Sequence, residues 1–328
     1  MKGRMMPAAS TGNKLDTRRG EERTSAPMSH GGSKKVVILA LFANGGIAAA
    51  KFVAALVTGS GAMMAESIHS AADCGNQALL LIGAARAKKP PNDAHPLGYG
   101  REAYFWGMLV AAMLFSLGGA FSVYEGIHKL LDPHDLEHEY WAIGVLLFSL
   151  VLESISLRAA WAEVSKAKGG RGFLEWARTT GDVDLLVVTF EDLAAEAGLG
   201  LALVAVVLAK LTGNTTFDAA GSIAVGVVLL GVAVFVAVQI RRLIVGFAAG
   251  EEICSRIHDI WKAQGFELFR LIAVWTGPHQ VMLAVKVKLP PDEKDARRLV
   301  ERLNAAEAAV RSAVPEVTFS FVEPDIAD

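Results

Sequence analysis

Ala65-Glu66-Ser67-Ile68-His69-Ser70-Ala71-Ala72-Asp73-Cys74-Gly75-Asn76-Gln77 sets a glutamate, a histidine and an aspartate inside a segment apolar enough to cross a membrane. A charged side chain at the centre of a bilayer costs at least ~2.5–3.5 kcal/mol on insertion scales. Two carboxylates and an imidazole in one span therefore point to a site. His69 and Asp73 are four residues apart, so on a helix they share a face, separated by roughly 6 Å of rise. Imidazole nitrogen and carboxylate oxygen both suit a borderline divalent cation such as zinc. The remainder of the chain reads as a scaffold that brings a second such face opposite this one.

Working outward, 52% of the 328 residues are hydrophobic and 20% are charged, with a mean hydropathy of +0.37. The apolar excess lies in long blocks, as in membrane proteins. Six stretches, at about 36–58, 62–85, 103–128, 140–160, 185–210 and 219–245, each approach the ~20 residues needed to span hydrocarbon. Basic residues orient them. Lys34 and Lys35 precede the first; Arg86, Lys88, Lys89 and Arg101 follow the second. Arg158, Lys166, Lys168, Arg171 and Arg178 follow the fourth, and Arg241 and Arg242 close the sixth, whereas the opposite side offers only Lys129 and Lys210. The positive-inside rule then puts both termini in the cytoplasm.

Residues 1–34 contain no apolar run and read as a disordered cytoplasmic tail rather than a signal peptide. The net charge of -2, without a basic patch interleaved with aromatics, gives no sign of nucleic-acid binding. Cys74 falls in a span and Cys254 in the polar C-terminal part, which argues against a disulfide.

After a plausible linker at Gly246 to Gly250 the pattern changes. Glu251 to Gln264 reads as a short amphipathic helix. Leu268 to Thr276 and Gln280 to Leu289 read as strands around the turn Thr276-Gly277-Pro278-His279. Asp292 to Ala313 reads as a helix and Val317 to Val322 as a last strand. The αββαβ order over residues 251–328 predicts a small ferredoxin-like α+β cytoplasmic domain behind a membrane all-α, six-helix domain at 35–246.

The fifth span carries the second constellation, Val187-Val188-Thr189-Phe190-Glu191-Asp192-Leu193-Ala194-Ala195-Glu196. Asp192 and Glu196 form an i,i+4 pair, with Glu191 rotated by roughly 100° from Asp192. Buried carboxylates need neutralising. A divalent cation shared with His69 and Asp73 would do so, and protons could replace it when it leaves. Asn44, Asn76, Gln77 and Glu153 read equally well as helix–helix hydrogen-bonding groups, Glu66 as a cap or entrance residue. Gly45, Gly46, Gly118 and Gly119 read as close-packing positions.

With these residues in view, nearly everything from Lys35 to Asp325 resembles the cation diffusion facilitator (CDF) family of divalent-metal/proton antiporters. The second span has that family's His/Asp-x-x-x-Asp pattern as His69-Ser-Ala-Ala-Asp73. The loop His95-Pro-Leu-Gly-Tyr-Gly-Arg-Glu102 is similar to the family's His-Pro-x-Gly-x-Gly-x-x-Glu segment. The sixth span opens with Asp218-Ala-Ala-Gly-Ser-Ile, and the chain closes with Val322-Glu-Pro-Asp325. Val188 stands where the family usually has a second fifth-span ligand, and the Glu191-Asp192 pair resembles the zinc transporter 9 branch. The resemblance implies His69, Asp73 and Asp192 as metal ligands, with Glu191 as the fourth; helix-face geometry favours Glu196 for that place.

Secondary metal sites look poorer. Asp93 and His95 could bind in the loop, but Tyr99 stands where a second loop histidine would be. Val285 and Phe321 occupy strand positions that carry histidines in some relatives, leaving His258 and His279 as surface residues and the domain as a dimerisation module. The His134, Asp135, Glu137, His138 and Glu139 segment reads as a solvated acidic loop.

The expected location is a bacterial inner membrane, and the resemblance implies a homodimer. It exports Zn2+, or Mn2+, Fe2+ or Co2+, against protons by alternating access. The cation is cargo, and no organic cofactor is implied. A membrane metalloenzyme is disfavoured because no His-Glu-x-x-His motif is present, and a pure sensor because ligands are retained in two spans.

Overall fold

The computed structural model describes residues 61–132, 139–290 and 295–326, and before them residues 38, 41–42, 44–50, 52–53 and 56. The side chains of 61–69, 139 and 141–142 are outside that description. So are the expected tail at 1–34 and the acidic stretch from His134 to His138.

Every described residue of the first expected span is helical. The second forms α1 (Gly61–Ala87). The next four form α2 (Glu102–Leu131), α3 (Glu139–Lys168), α5 (Val183–Thr212) and α6 (Thr216–Val245). Among the described residues, four helices are long and apolar enough to cross a membrane, and these are α2, α3, α5 and α6. Each outlasts its predicted apolar core at one or both ends, because capping and polar surface turns extend a helix beyond the hydrocarbon. Asp182, for example, starts α5 by accepting a hydrogen bond from the Leu185 amide at 3.1 Å.

Two features were not anticipated. The middle of α2 widens into a π-helical turn at Leu114–Ala120, a hydrogen-bonding change that side-chain periodicity does not register. A short helix, α4 (Phe173–Thr179), follows α3. It begins a stack in which Phe173 meets Phe190 at 5.4 Å and Phe190 meets Phe235 at 4.7 Å.

Small residues let α2 and α6 approach closely. A Cβ on Gly119 would stand 2.6 Å from Leu230 Cγ, and one on Gly226 would stand 2.6 Å from Val123 Cγ2. Lys129 on α2 bridges to Asp218 on α6 at 3.1 Å. At Gly45 and Gly46 a Cβ would meet no described atom within 4 Å. Hydropathy marks a span but not which of its faces meets a neighbour.

The C-terminal domain follows the expected order. It comprises α7 (Glu251–Ala263), β1 (Leu268–Gly277), β2 (Gln280–Lys288), α8 (Ala296–Ala313) and β3 (Val317–Asp325). The strands lie in the order β1-β2-β3, with β1 antiparallel and β3 parallel to β2. Alternate β2 residues Val281, Leu283, Val285 and Val287 are buried with Ile257 and Trp261 of α7 and Ala306 and Val310 of α8 in one core. The linker is itself paired: Ala249 donates to the Ala273 carbonyl at 2.8 Å, and Trp275 donates to that of Phe247 at 3.0 Å.

The β1–β2 hairpin turns on Pro278 and His279, and His279 has a φ of +56°, a region sparsely populated by residues other than glycine. His279 is exposed, as expected from sequence, and it also has a partner. Its Nε2 lies 3.1 Å from Asp182 Oδ2, so the hairpin tip is fastened to the residue that caps α5. Gly100, in the loop before α2, makes room for this tip; a Cβ there would lie 2.6 Å from the Thr276 carbonyl oxygen.

The hydrogen bond that His279 donates to Asp182 raises its pKa above the ordinary value, against an opposing effect of burial; Asp182, Glu316 and Asp184 add charge attraction. A raised folded-state pKa means that the ring's contribution to stability is complete below its ordinary value of about 6.5. It is lost as pH rises through the folded value. His279→Ala is therefore expected to lower the melting temperature of the solubilised protein at pH 6, with the difference from the unaltered protein narrowing at alkaline pH. Melting curves at several pH values check this; a difference independent of pH would mean that the ring acts only by packing.

Candidate metal centre

The acids of α5 are split between two neighbouring helices. Glu191 is buried at 6% exposure, and its Oε1 accepts a hydrogen bond from Asn76 Nδ2 on α1 at 3.0 Å. Asp192, one residue on and therefore about 100° around the helix, faces α3, where Ser156 donates to its Oδ2 at 2.9 Å. Glu196, one turn later, accepts from Ser154 of α3 at 2.7 Å. Serine oxygens two apart on α3 thus meet carboxylates four apart on α5.

Asp73 on α1 acts electrostatically on both Glu191 and Asp192, and Glu153 of α3, also buried, acts on Glu191. Glu191 Oε2, Glu196 Oε2 and Asn76 Oδ1 are buried oxygens with no hydrogen-bond partner among the described residues. Lipid tails cannot satisfy such oxygens, and carboxylates held this way can accept a cation or a proton. Glu66 and His69 lie on α1, with their side chains outside the described ones. Among the described residues, no three His, Cys, Asp or Glu side chains are gathered closely enough to hold a metal ion.

Of the sequence-derived candidates, Glu191 is the α5 acid that meets α1, the helix of His69 and Asp73, while Glu196 meets α3. Val188 is fully buried at 0% exposure and supplies no ligand atom. In the loop, His95 stacks on Tyr99 with ring centroids 4.3 Å apart, and its amide donates to Asn92 Oδ1 at 2.8 Å. Gly98 supports the turn with a φ of +74°. The loop motif thereby gains a structural explanation: a tight turn at Gly98 and a hairpin docking place at Gly100. Ser154 and Ser156 were missed by the sequence reading. Two hydroxyls beside Glu153 in an otherwise apolar span were the available signal.

The profile of the cation efflux transmembrane domain matches residues 37–245. The chain belongs to the cation efflux family. Its relatives include the mitochondrial proton-coupled zinc antiporter SLC30A9 of Xenopus laevis, 34% identical over 231 residues, or 70% of this chain and 41% of that protein. The human SLC30A9 protein is 32% identical over the same coverage. The Arabidopsis thaliana metal tolerance protein C4 is 32% identical over 227 residues, 69% of this chain and 50% of that protein. The chain thus spans half or less of the length of these relatives.

This cation efflux protein is a membrane helical bundle with a small α+β domain behind it, and its buried acids sit within the matched region. If the α3 serines hold Asp192 and Glu196 in place, removing one should weaken binding without removing a ligand. Partners of this kind are typically worth 10–100-fold in metal affinity. Ser156→Ala is expected to reduce the affinity of the purified protein for Zn2+ by about tenfold with its melting temperature little changed. Metal titration beside a melting curve checks this; unchanged affinity would remove Ser156 from the centre.

Proposed function

We propose that the chain is a divalent-cation/proton antiporter that exports Zn2+, or a similar metal, from the cytoplasm. The observation carrying this reading is the pair Glu191 and Asp192, buried side by side in an apolar helix and turned toward two different helices. Such a pair has no structural need of two charges, because replacing buried ions with packed apolar side chains is often neutral or stabilising. A cargo that alternates with protons accounts for them. Family membership and the printed function of the SLC30A9 relatives point the same way.

His69, Asp73, Glu191 and Asp192 form the metal site in this reading. Their carboxylates and imidazole hold the cation on one face of the cycle and protons on the other, so that each exchange resets the site. Closing of α1 on α5 completes the coordination, and rocking of the helices changes the side to which it opens. The cation is carried and not used for chemistry, so the protein is a transporter and not an enzyme.

The domains divide as a tail at 1–34, a membrane domain at 35–246 and a cytoplasmic domain at 251–328. The basic loops favour cytoplasmic termini. The protein works as a homodimer in the bacterial inner membrane. Oxygen-rich surroundings of Glu191 favour a second reading of the cargo, in which Mn2+, Fe2+ or Co2+ leaves by the same route.

The test is uptake into proteoliposomes under an imposed pH gradient, with Zn2+, Mn2+, Fe2+ and Co2+ in parallel. Gradient-driven flux is expected in the unaltered protein and at background level in Asp73→Ala and Asp192→Ala. No flux of any metal from a folded protein would contradict antiport.

A further inference from the structure

Resting on the transport reading above, we infer that Asn76 sets the metal preference of the site by offering its amide oxygen, Oδ1, to the cation beside Glu191. Asn76 is one turn beyond Asp73 and nearly fully buried, at 4% exposure. Its amide nitrogen is committed to Glu191 Oε1 at 3.0 Å. That bond fixes the orientation of both groups, since only the nitrogen end can donate. Among the described residues it leaves two buried oxygens without hydrogen-bond partners, Asn76 Oδ1 and Glu191 Oε2. The next residue repeats the pattern: Gln77 is completely buried at 0% exposure, and among the described residues neither its Oε1 nor its Nε2 has a partner.

A buried amide oxygen with no donor forfeits the hydrogen bonds it had in water, and inside a bilayer-spanning bundle no lipid tail can restore them. A hydrogen-bonding role alone would use Asn76 Nδ2 and leave its oxygen stranded. A cation-binding role uses both ends. The nitrogen holds one Glu191 oxygen, and Asn76 Oδ1 with Glu191 Oε2 adds two hard oxygen donors to the carboxylate of Asp73. Carbonyl and carboxylate oxygens suit Mn2+ more than they suit Zn2+, for which imidazole is the better ligand. Asn76 thus moves the site away from strict zinc preference.

The experiment is metal binding by the purified full-length protein, with Zn2+ and Mn2+ each titrated against a chromophoric chelator for the unaltered chain, Asn76→Ala and Asn76→Asp. Loss of the oxygen in Asn76→Ala should weaken Mn2+ binding by roughly 10–100-fold and Zn2+ binding by less, shifting their ratio toward Zn2+ by about tenfold. Asn76→Asp keeps an oxygen and discards the donor, so its ratio should equal or exceed that of the unaltered chain in favour of Mn2+. Equal weakening of both metals in both variants would mean that Asn76 only props Glu191, and would overturn the assignment. Where Asn76→Ala does not fold, the near-isosteric Asn76→Asp decides alone: a ratio shifted toward Zn2+ overturns the assignment, and one held or shifted toward Mn2+ supports it. Binding of neither metal by the unaltered protein would instead overturn the transport reading, and this assignment with it.

Discussion

Ionisable oxygens in an apolar bundle impose the constraint on which the rest of this molecule depends. Glu153, Glu191 and Asp192 are all buried, and each carboxylate taken from water loses hydration worth several kcal/mol. The protein offsets that loss with fixed donors. Asn76 reaches Glu191 from α1, while Ser156 and Ser154 reach Asp192 and Glu196 from α3. These donors come from two helices flanking α5, so the three helices must keep their mutual register for the acids to be tolerated at all. Among the described residues the donors leave Glu191 Oε2 and Asn76 Oδ1 unmet, and these are the atoms to which the proposed cargo would bind.

The same helix links the buried acids to the C-terminal domain. Asp182 caps α5 and holds His279 of the β1–β2 hairpin, and Asp192 follows ten residues later, at a rise of roughly 15 Å. The hairpin reaches α5 because Gly100 and Gly181 have no side chain in the way; a Cβ on Gly181 would lie 2.5 Å from the Trp275 ring. The linker is hydrogen bonded along β1 and is not a loose tether. The domain is thus built onto the start of the helix that carries the acids.

Much of this was legible in the chain itself. Long apolar runs reveal spans because the length of hydrocarbon is fixed, and the alternation in β3 and the apolar face of α8 reveal the small domain because each packs on the core by one side. The acids of α5 stood out because charge in a span is costly. Their division between α1 and α3 did not, because the face a helix turns to a neighbour depends on tertiary packing. Ser154 and Ser156 are ordinary residues in a helix and gain meaning only opposite Asp192 and Glu196. The pairing of the exposed His279 with Asp182 was not legible, because its partner lies 97 residues earlier in the chain and no local pattern encodes such a pairing. The glycines of the loop motif were recognised by resemblance, and their reasons are geometric: a positive φ at Gly98 and a close approach at Gly100.

The central claim is that metal and protons compete for the same buried carboxylates. Calorimetric titration of the purified protein with Zn2+, repeated in buffers of differing ionisation enthalpy, counts the protons exchanged on binding. The account predicts net proton release when Zn2+ binds, growing as the pH is lowered within the range where the protein stays folded, and reduced in Asp192→Asn. Zinc binding with no proton release at any such pH would contradict it.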